Sequence, residues 1–187
     1  MRFDANFNET EQLPKYFEVT FKEENNGGQK EVVVLLNGLS RVGDKINDNS
    51  YTDDFYRYHD IFHYSFATIL GWSPCTRAMM RRKRKSNKII DEVEDGARAT
   101  ITEEAISLLI FNEAKRKHFF NHNRKISKTM LKIIKEMTEP FEVKVKTRKE
   151  WEYAILKAYE IFRLLMKNRG GKVEFNALEK KMKFVDI

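Results

Sequence analysis

Tyr16 to Phe21 alternates apolar and polar side chains, the period-two pattern of a strand with one buried face. Asn25-Asn26-Gly27-Gly28 follows, four residues that tolerate positive φ, and then Glu31 to Leu36 is a β-branched run. The pattern predicts a β-hairpin over residues 16–36. Asn37 to Ser50 holds Gly38, Gly43, Asp44, Asp48, Asn49 and Ser50 and reads as a loop, with acids and amides able to reach the middle of the chain. Residues 1–15 are polar and read as irregular.

From Asp53 the period changes. Phe55, Tyr58, Phe62, Phe66 and Ile69 recur at three and four, which predicts a helix with one buried stripe, opened by Asp53 or Asp54 and stopped at Gly71. Ser73-Pro74 starts a second helix with proline in its first turn, fraying through Arg81 to Lys85. A short third spans Asn87 to Asp95 and ends at Gly96. A fourth, capped by Thr100 or Thr102, runs through Ile106, Leu108, Leu109, Ile110 and Phe111 to about Lys117. Phe119 to Arg124 reads as a turn with two aromatic plugs. Ile126 to Met137 is helical and ends before Pro140, and Phe141 to Lys146 alternates as a short strand or extended connector. Arg148 to Asn168 is a long amphipathic helix with a glycine stop, and Val173 to Phe175 and Met182 to Val185 pair as a second hairpin. The expectation is one domain over residues 1–187, mainly α. A helical core of five or six helices fills residues 53–168, with small β-hairpins at the two ends, 16–36 and 172–186.

Composition adds charge to this picture. The 187 residues carry a net charge of +7, which favours an anionic partner such as a nucleotide, a nucleic acid or a lipid headgroup. A hydrophobic fraction of 41% supports a packed core without disulfides. The single Cys75 excludes an internal disulfide and fits a reducing, cytoplasmic setting; beside Pro74 it reads as a small buried residue. No apolar run approaches the roughly 18 residues of a membrane span, so no membrane partner is expected.

Candidate chemistry gathers between Asp53 and Glu104. His59 and His63 stand at i and i+4, one face of a helix and a spacing used by metal ligands, with Asp60 beside them. The zinc-protease pattern needs Glu after the first His, and Asp60 stands there instead. Asp91, Glu92, Glu94, Asp95, Glu103 and Glu104 place six carboxylates within fourteen residues. Such a group repels itself unless solvated or bridged by a cation, and oxygen donors of this kind suit Mg²⁺ or Mn²⁺. Between the histidines and these acids lie Arg77 and the unbroken basic run Arg81 to Lys85. A metal centre beside arginine forks is the arrangement of phosphoryl and pyrophosphoryl chemistry. Glu92, Asp95, Glu103 and Asp60 are thus the candidate metal ligands. His59, His63 and Glu104 are the candidate catalytic groups, and Arg77, Arg81, Arg82 and Lys85 the candidate polyphosphate binders. Read alone, the basic run is a nucleic-acid patch.

The segments NGLSRVGDKINDNSYTDDFYRYHDIFH, LGWSPCTRAMMRRKRKSNKIIDEVEDGARA, EEAISLLIF, EMTEPFEVKVKTRKEWEYAIL and NRGGKVEF resemble the MazG-like, or MazG C-terminal type, family. The resemblance implies a nucleotide pyrophosphohydrolase-related protein, all-α at heart, with relatives fused to a MazG pyrophosphatase domain in phage-conflict systems. It also implies, by analogy with four-helix pyrophosphohydrolases, a homo-oligomer. The family's EExxE motif has no match: Glu92 to Asp95 fits the later ExxD, but Glu103-Glu104 follows it and Ser107 stands where the last Glu belongs. The leading expectation is a metal-dependent nucleotide hydrolase, a nucleoside triphosphate pyrophosphohydrolase. The alternative is a non-catalytic nucleotide or nucleic-acid binding module of a defence system, with the acids bracing the basic run through pairs such as Asp95 with Arg98. A third reading takes Arg116 and His122, which resemble the Arg and His pair of small helical ribonucleases, as catalytic.

Overall fold

The computed structural model describes residues 2–122 and 125–186. Strands β1 (Tyr16–Asn26) and β2 (Gln29–Leu36) form the first hairpin, and β4 (Gly170–Asn176) and β5 (Lys181–Val185) the last. They do not stay apart. β1 pairs antiparallel with β4, setting Phe17 opposite Phe175, Val19 opposite Val173 and Phe21 opposite Gly171. With the two-residue β3 (Ser40–Arg41) this gives a five-stranded sheet ordered β3-β2-β1-β4-β5. The expectation of a mainly α chain with small terminal hairpins is therefore corrected to an α+β architecture, one antiparallel sheet packed against helices. The physical reason is edge pairing: β1 and β4 each present a free backbone edge and an inward apolar row, and pairing satisfies both. Phe17 and Phe175 stack with ring centres 4.6 Å apart. At Gly171 a side chain would overlap the Phe184 ring, so glycine is required where β4 and β5 close up.

Six α-helices follow in the order α1 (Asp60–Ile69), α2 (Pro74–Met79), α3 (Lys88–Val93), α4 (Ala97–Arg116), α5 (Lys128–Met137) and α6 (Arg148–Asn168). All ten residues of α1 are buried, so it is a central helix and not one with a single buried stripe. It packs Phe62 against Tyr159 and Phe162 of α6, and Phe66 against Trp151. Its inner hydroxyls are satisfied locally: Ser65 donates to the Ile61 carbonyl at 2.6 Å and Thr68 to Tyr64 at 2.7 Å.

Boundaries shift for identifiable reasons. α1 starts at Asp60, because Phe55 adopts φ 66° and only a 3-10 turn over Tyr56–Tyr58 precedes the helix. Ser73 caps α2, Asn87 caps α3, and Thr147 forms a full capping box with Glu150 on α6. α4 opens at Gly96, not at a threonine, since a side chain there would overlap the Glu92 carbonyl oxygen. Glu142–Val145, expected to be extended, is a 3-10 turn with Val143 buried. The aromatic turn after α4 is present at His118–Phe120, while Asn123 and Arg124, at its far end, lie outside the described residues, as does Met1. The leading segment is less irregular than its composition suggests: buried Asp4 accepts the Leu13 amide at 2.7 Å and the Arg77 guanidinium at 2.9 Å. Among the described residues no helix is long and apolar enough to cross a membrane.

Candidate metal centre

Because α1 is buried on every side, His63 has nowhere to go but the interior, and it is 1% exposed. Its Nδ1 lies 2.9 Å from Glu103 Oε1 on α4. A carboxylate only accepts, so the proton sits on Nδ1 and Nε2 is left free. Nε2 is buried, has no hydrogen-bond partner, and lies 3.5 Å from Glu104 Oε1. One turn earlier His59 repeats the arrangement. Its Nδ1 donates to the Tyr56 carbonyl at 3.0 Å, and its Nε2 lies 3.4 Å from Asp60 Oδ1. Tyr56 stacks flat on the His59 ring at 4.3 Å and fixes its plane.

Glu103 is held from three sides. Besides His63 it accepts the Ser73 hydroxyl at 2.7 Å and the Cys75 amide at 2.9 Å. The start of α2 thereby fixes a carboxylate on α4, which fixes an imidazole on α1. Glu104, on the solvent side, keeps 45% of its side chain exposed. Burial opposes its ionisation, yet the imidazoles of His63 and His59 pull its pKa down to about 2. Burial lowers the pKa of His59. It works against a charged His63 as well, but the Glu103 carboxylate holds the proton affinity of His63 well above the ordinary histidine range. Burial, with Glu103 behind it, pushes the Cys75 thiol far up and keeps it neutral.

The cluster thus sets three carboxylates, Asp60, Glu103 and Glu104, around two imidazoles of which one readily carries charge. Each Nε2 lies 3.4–3.5 Å from a carboxylate oxygen, a distance that suits two ligands of one cation, which at His63 would take the place of the proton that imidazole readily holds. One ligand atom each from His59, Asp60 and His63 lies within 4.8 Å of the others, and the same holds for His63, Cys75 and Glu103. An imidazole whose Nδ1 donates to an acceptor on its far side, as both do here, is the usual arrangement of metal-binding histidines.

Not every residue singled out in the sequence joins this cluster. His59, Asp60, His63, Glu103 and Glu104 come together. Asp95 instead is fully buried against arginines, 2.7 Å from Arg84 Nη2 and 3.6 Å from Arg77 Nε, rather than against Arg98. Glu92 is 64% exposed and its partner is Lys88 at 3.8 Å. Arg77 spends its guanidinium on Asp4 and on the Glu11 and Arg82 carbonyls, and Arg84 bridges Asp95 and Glu142. Arg82 donates to the Glu9 carbonyl, while Arg81 and Lys85 are exposed. The basic run is split between a buried brace and the surface. Of the candidate ribonuclease residues, Arg116 and His122 are both exposed.

Ser73, Cys75 and Tyr56 belong to the centre and were not assigned to it from the sequence. The signal for Ser73 was legible, since a capping serine before proline marks where a helix and its free amides begin. Nothing in the pattern says that Glu103 would be what they meet. A cavity of about 740 Å³ lies elsewhere, bounded by Gly28, Lys30, Asp48 and Asp53, but its acids are engaged: Arg57 meets Asp48 and Asp53 at 2.6 Å.

The MazG C-terminal domain family matches the chain over residues 1–187. No curated protein and no solved structure matches it.

Proposed function

The chain belongs to the MazG C-terminal domain family, and from that footing we propose that it is a metal-dependent hydrolase of nucleotides, with nucleoside triphosphates as the first substrates to test. One observation supports this most directly: the Nε2 atom of His63, buried and without a hydrogen-bond partner, turned toward the Glu104 carboxylate. His59, Asp60, His63 and Glu104 hold the metal in this reading. Mixed nitrogen and oxygen donors suit Mn²⁺ better than Mg²⁺. When bound, such an ion polarises a phosphate oxygen and lowers the pKa of a coordinated water. Glu103 does not reach the substrate; it orients His63. Glu104, the half-exposed ligand, marks the side from which a phosphate approaches. Asp95 and Glu92 have no part in this set, and Arg77 is engaged in the fold.

The test is direct. Purified protein is titrated with Mn²⁺ by calorimetry and then mixed with a panel of nucleoside triphosphates while pyrophosphate release is followed. His63→Ala abolishes both metal binding and release; Glu92→Gln changes neither. If Mn²⁺ binds and no triphosphate is cleaved, the hydrolase reading falls. A second reading then takes over, in which the metal braces α1 against α4 in a non-catalytic binding module. The near-complete burial of His63 favours that reading, because it leaves access only past Glu104.

A further inference from the structure

A second surface lies where the C-terminal ends of α4 and α6 meet. His118, Phe119 and Phe120 all adopt positive φ, at 50°, 52° and 56°. Three consecutive left-handed residues without a glycine are rare, because each sets Cβ against the following carbonyl. Packing holds them: Phe120 is buried edge-on to Tyr159, and Arg163 donates to the Phe119 carbonyl at 2.7 Å. Strain of this kind persists where the surroundings over-determine it, and it concentrates at ligand sites. Here it half-exposes Phe119 and points His118 outward at the wall of an open cleft of about 640 Å³. Phe55, itself at φ 66°, and Arg163 and Lys167 of α6 also line the cleft.

Basic side chains outnumber acidic ones in the lining of this cleft, Arg163 and Lys167 against Glu160. Lys115, Arg116 and Lys117 end α4, and Lys125 and Lys128 follow the turn. Two of these cations lie over aromatic rings and are already paired with acids, Lys115 above Phe111 with Asp54 at 2.7 Å and Lys117 above Phe120 with Glu113, so the positive charge left for a ligand comes from the others. The cleft's own acid, Glu160, is met by Lys157 at 2.9 Å. Lys167 and His118 are exposed. Half-buried aromatic side chains beside the Arg163 guanidinium and the exposed Lys167 match the two needs of a single strand, stacking for the bases and neutralisation for the phosphates. The cleft is open and not enclosed around one ligand, and from Lys115 back to Glu104 along α4 is about 16 Å at 1.5 Å per residue. At about 3.4 Å per stacked nucleotide that is the length of several residues of a strand.

We propose that the Phe55, His118, Phe119 and Lys167 cleft binds single-stranded nucleic acid. This surface is separate from the basic run Arg81 to Lys85, and binding there does not depend on the metal centre.

The test is fluorescence anisotropy with a labelled ten-nucleotide oligouridylate and its oligothymidylate counterpart, each measured with EDTA present and over a series of salt concentrations. Binding is expected to one or both oligomers, to weaken steeply with salt, and to survive EDTA. Lys167→Glu, an exposed change that leaves the fold intact, lowers affinity about tenfold, and Lys85→Glu leaves it unchanged. Phe119→Leu keeps an apolar side chain but removes the flat ring, and lowers affinity with a smaller change in salt slope than Lys167→Glu. Absence of binding to both oligomers at low salt overturns the proposal. So does wild-type affinity in Lys167→Glu, loss of binding in Lys85→Glu, or competition by uridine monophosphate at equal nucleotide concentration.

Discussion

Glu103 stands behind His63 with its own lone pairs met by Ser73 Oγ, the Cys75 amide and the imidazole, so the orientation of one ring is decided by residues on two other helices. Removing an outer-shell partner of this kind lowers metal affinity by about 10–100-fold while leaving the ligands in place. Glu103→Gln keeps the shape and removes the charge, and calorimetric Mn²⁺ titration is expected to show a loss in that range; because the new amide NH2 meets a donor, the urea unfolding free energy falls by about 1–3 kcal/mol. Asp4 is the comparable residue in the second charged assembly. Burial would raise its pKa, but the Leu13 amide and the Arg77 charge bring it below its ordinary value of 3.8. A depressed carboxylate contributes stability that is present above the unfolded pKa and is lost as pH falls through the folded one. The stability gap between the wild type and Asp4→Asn, measured by urea unfolding, is therefore full at neutral pH and closes as the pH drops below about 3.8.

At the scale of elements, α1 carries the site because it is the one helix with every residue buried, and a buried helix brings its polar side chains to other elements and not to water. The short α2 and α3 and the segment between them hold a different assembly, in which Arg77, Arg84, Asp95, Asp4 and Glu142 join the leading residues to the turn before α6. Breaking such a pair leaves a buried charge without its partner, which costs about 3–5 kcal/mol. Asp95→Ala is expected to lower the urea unfolding free energy by that amount, with any loss of Mn²⁺ affinity following only the fraction unfolded. An effect of Asp95→Ala on metal binding in fully folded protein would return Asp95 to the ligand set.

At the scale of the whole molecule, the first and last hairpins close into one sheet, so the two ends of the chain hold each other. Phe175 sits at the join, stacked on Phe17 and tilted against Tyr64 of α1. Truncating it removes a buried aromatic from both the sheet seam and the helix beneath, and Phe175→Ala is expected to cost about 3–5 kcal/mol by urea unfolding. Because α1 lies under that seam, the same variant loosens the His63 surroundings, and Mn²⁺ affinity falls with it.

The sequence by itself determined the local elements and the chemical types. Alternation and turn residues marked the first hairpin, amphipathic spacing and the glycine stop placed α6 at Arg148–Asn168, and the i, i+4 histidines with Asp60 and the Glu103-Glu104 pair marked the acids and bases that meet. Local periodicity carries such information because neighbours in sequence decide it. Only the tertiary structure decided the pairing of β1 with β4, more than 140 positions apart, and the sorting of charges into two assemblies. Asp95 and Glu103 look alike in sequence, each an acid near a helix start. Which of them faces arginines and which faces an imidazole follows from where α2 and α4 pack, and that is fixed by burial of the whole core and not by any residue's neighbours along the chain.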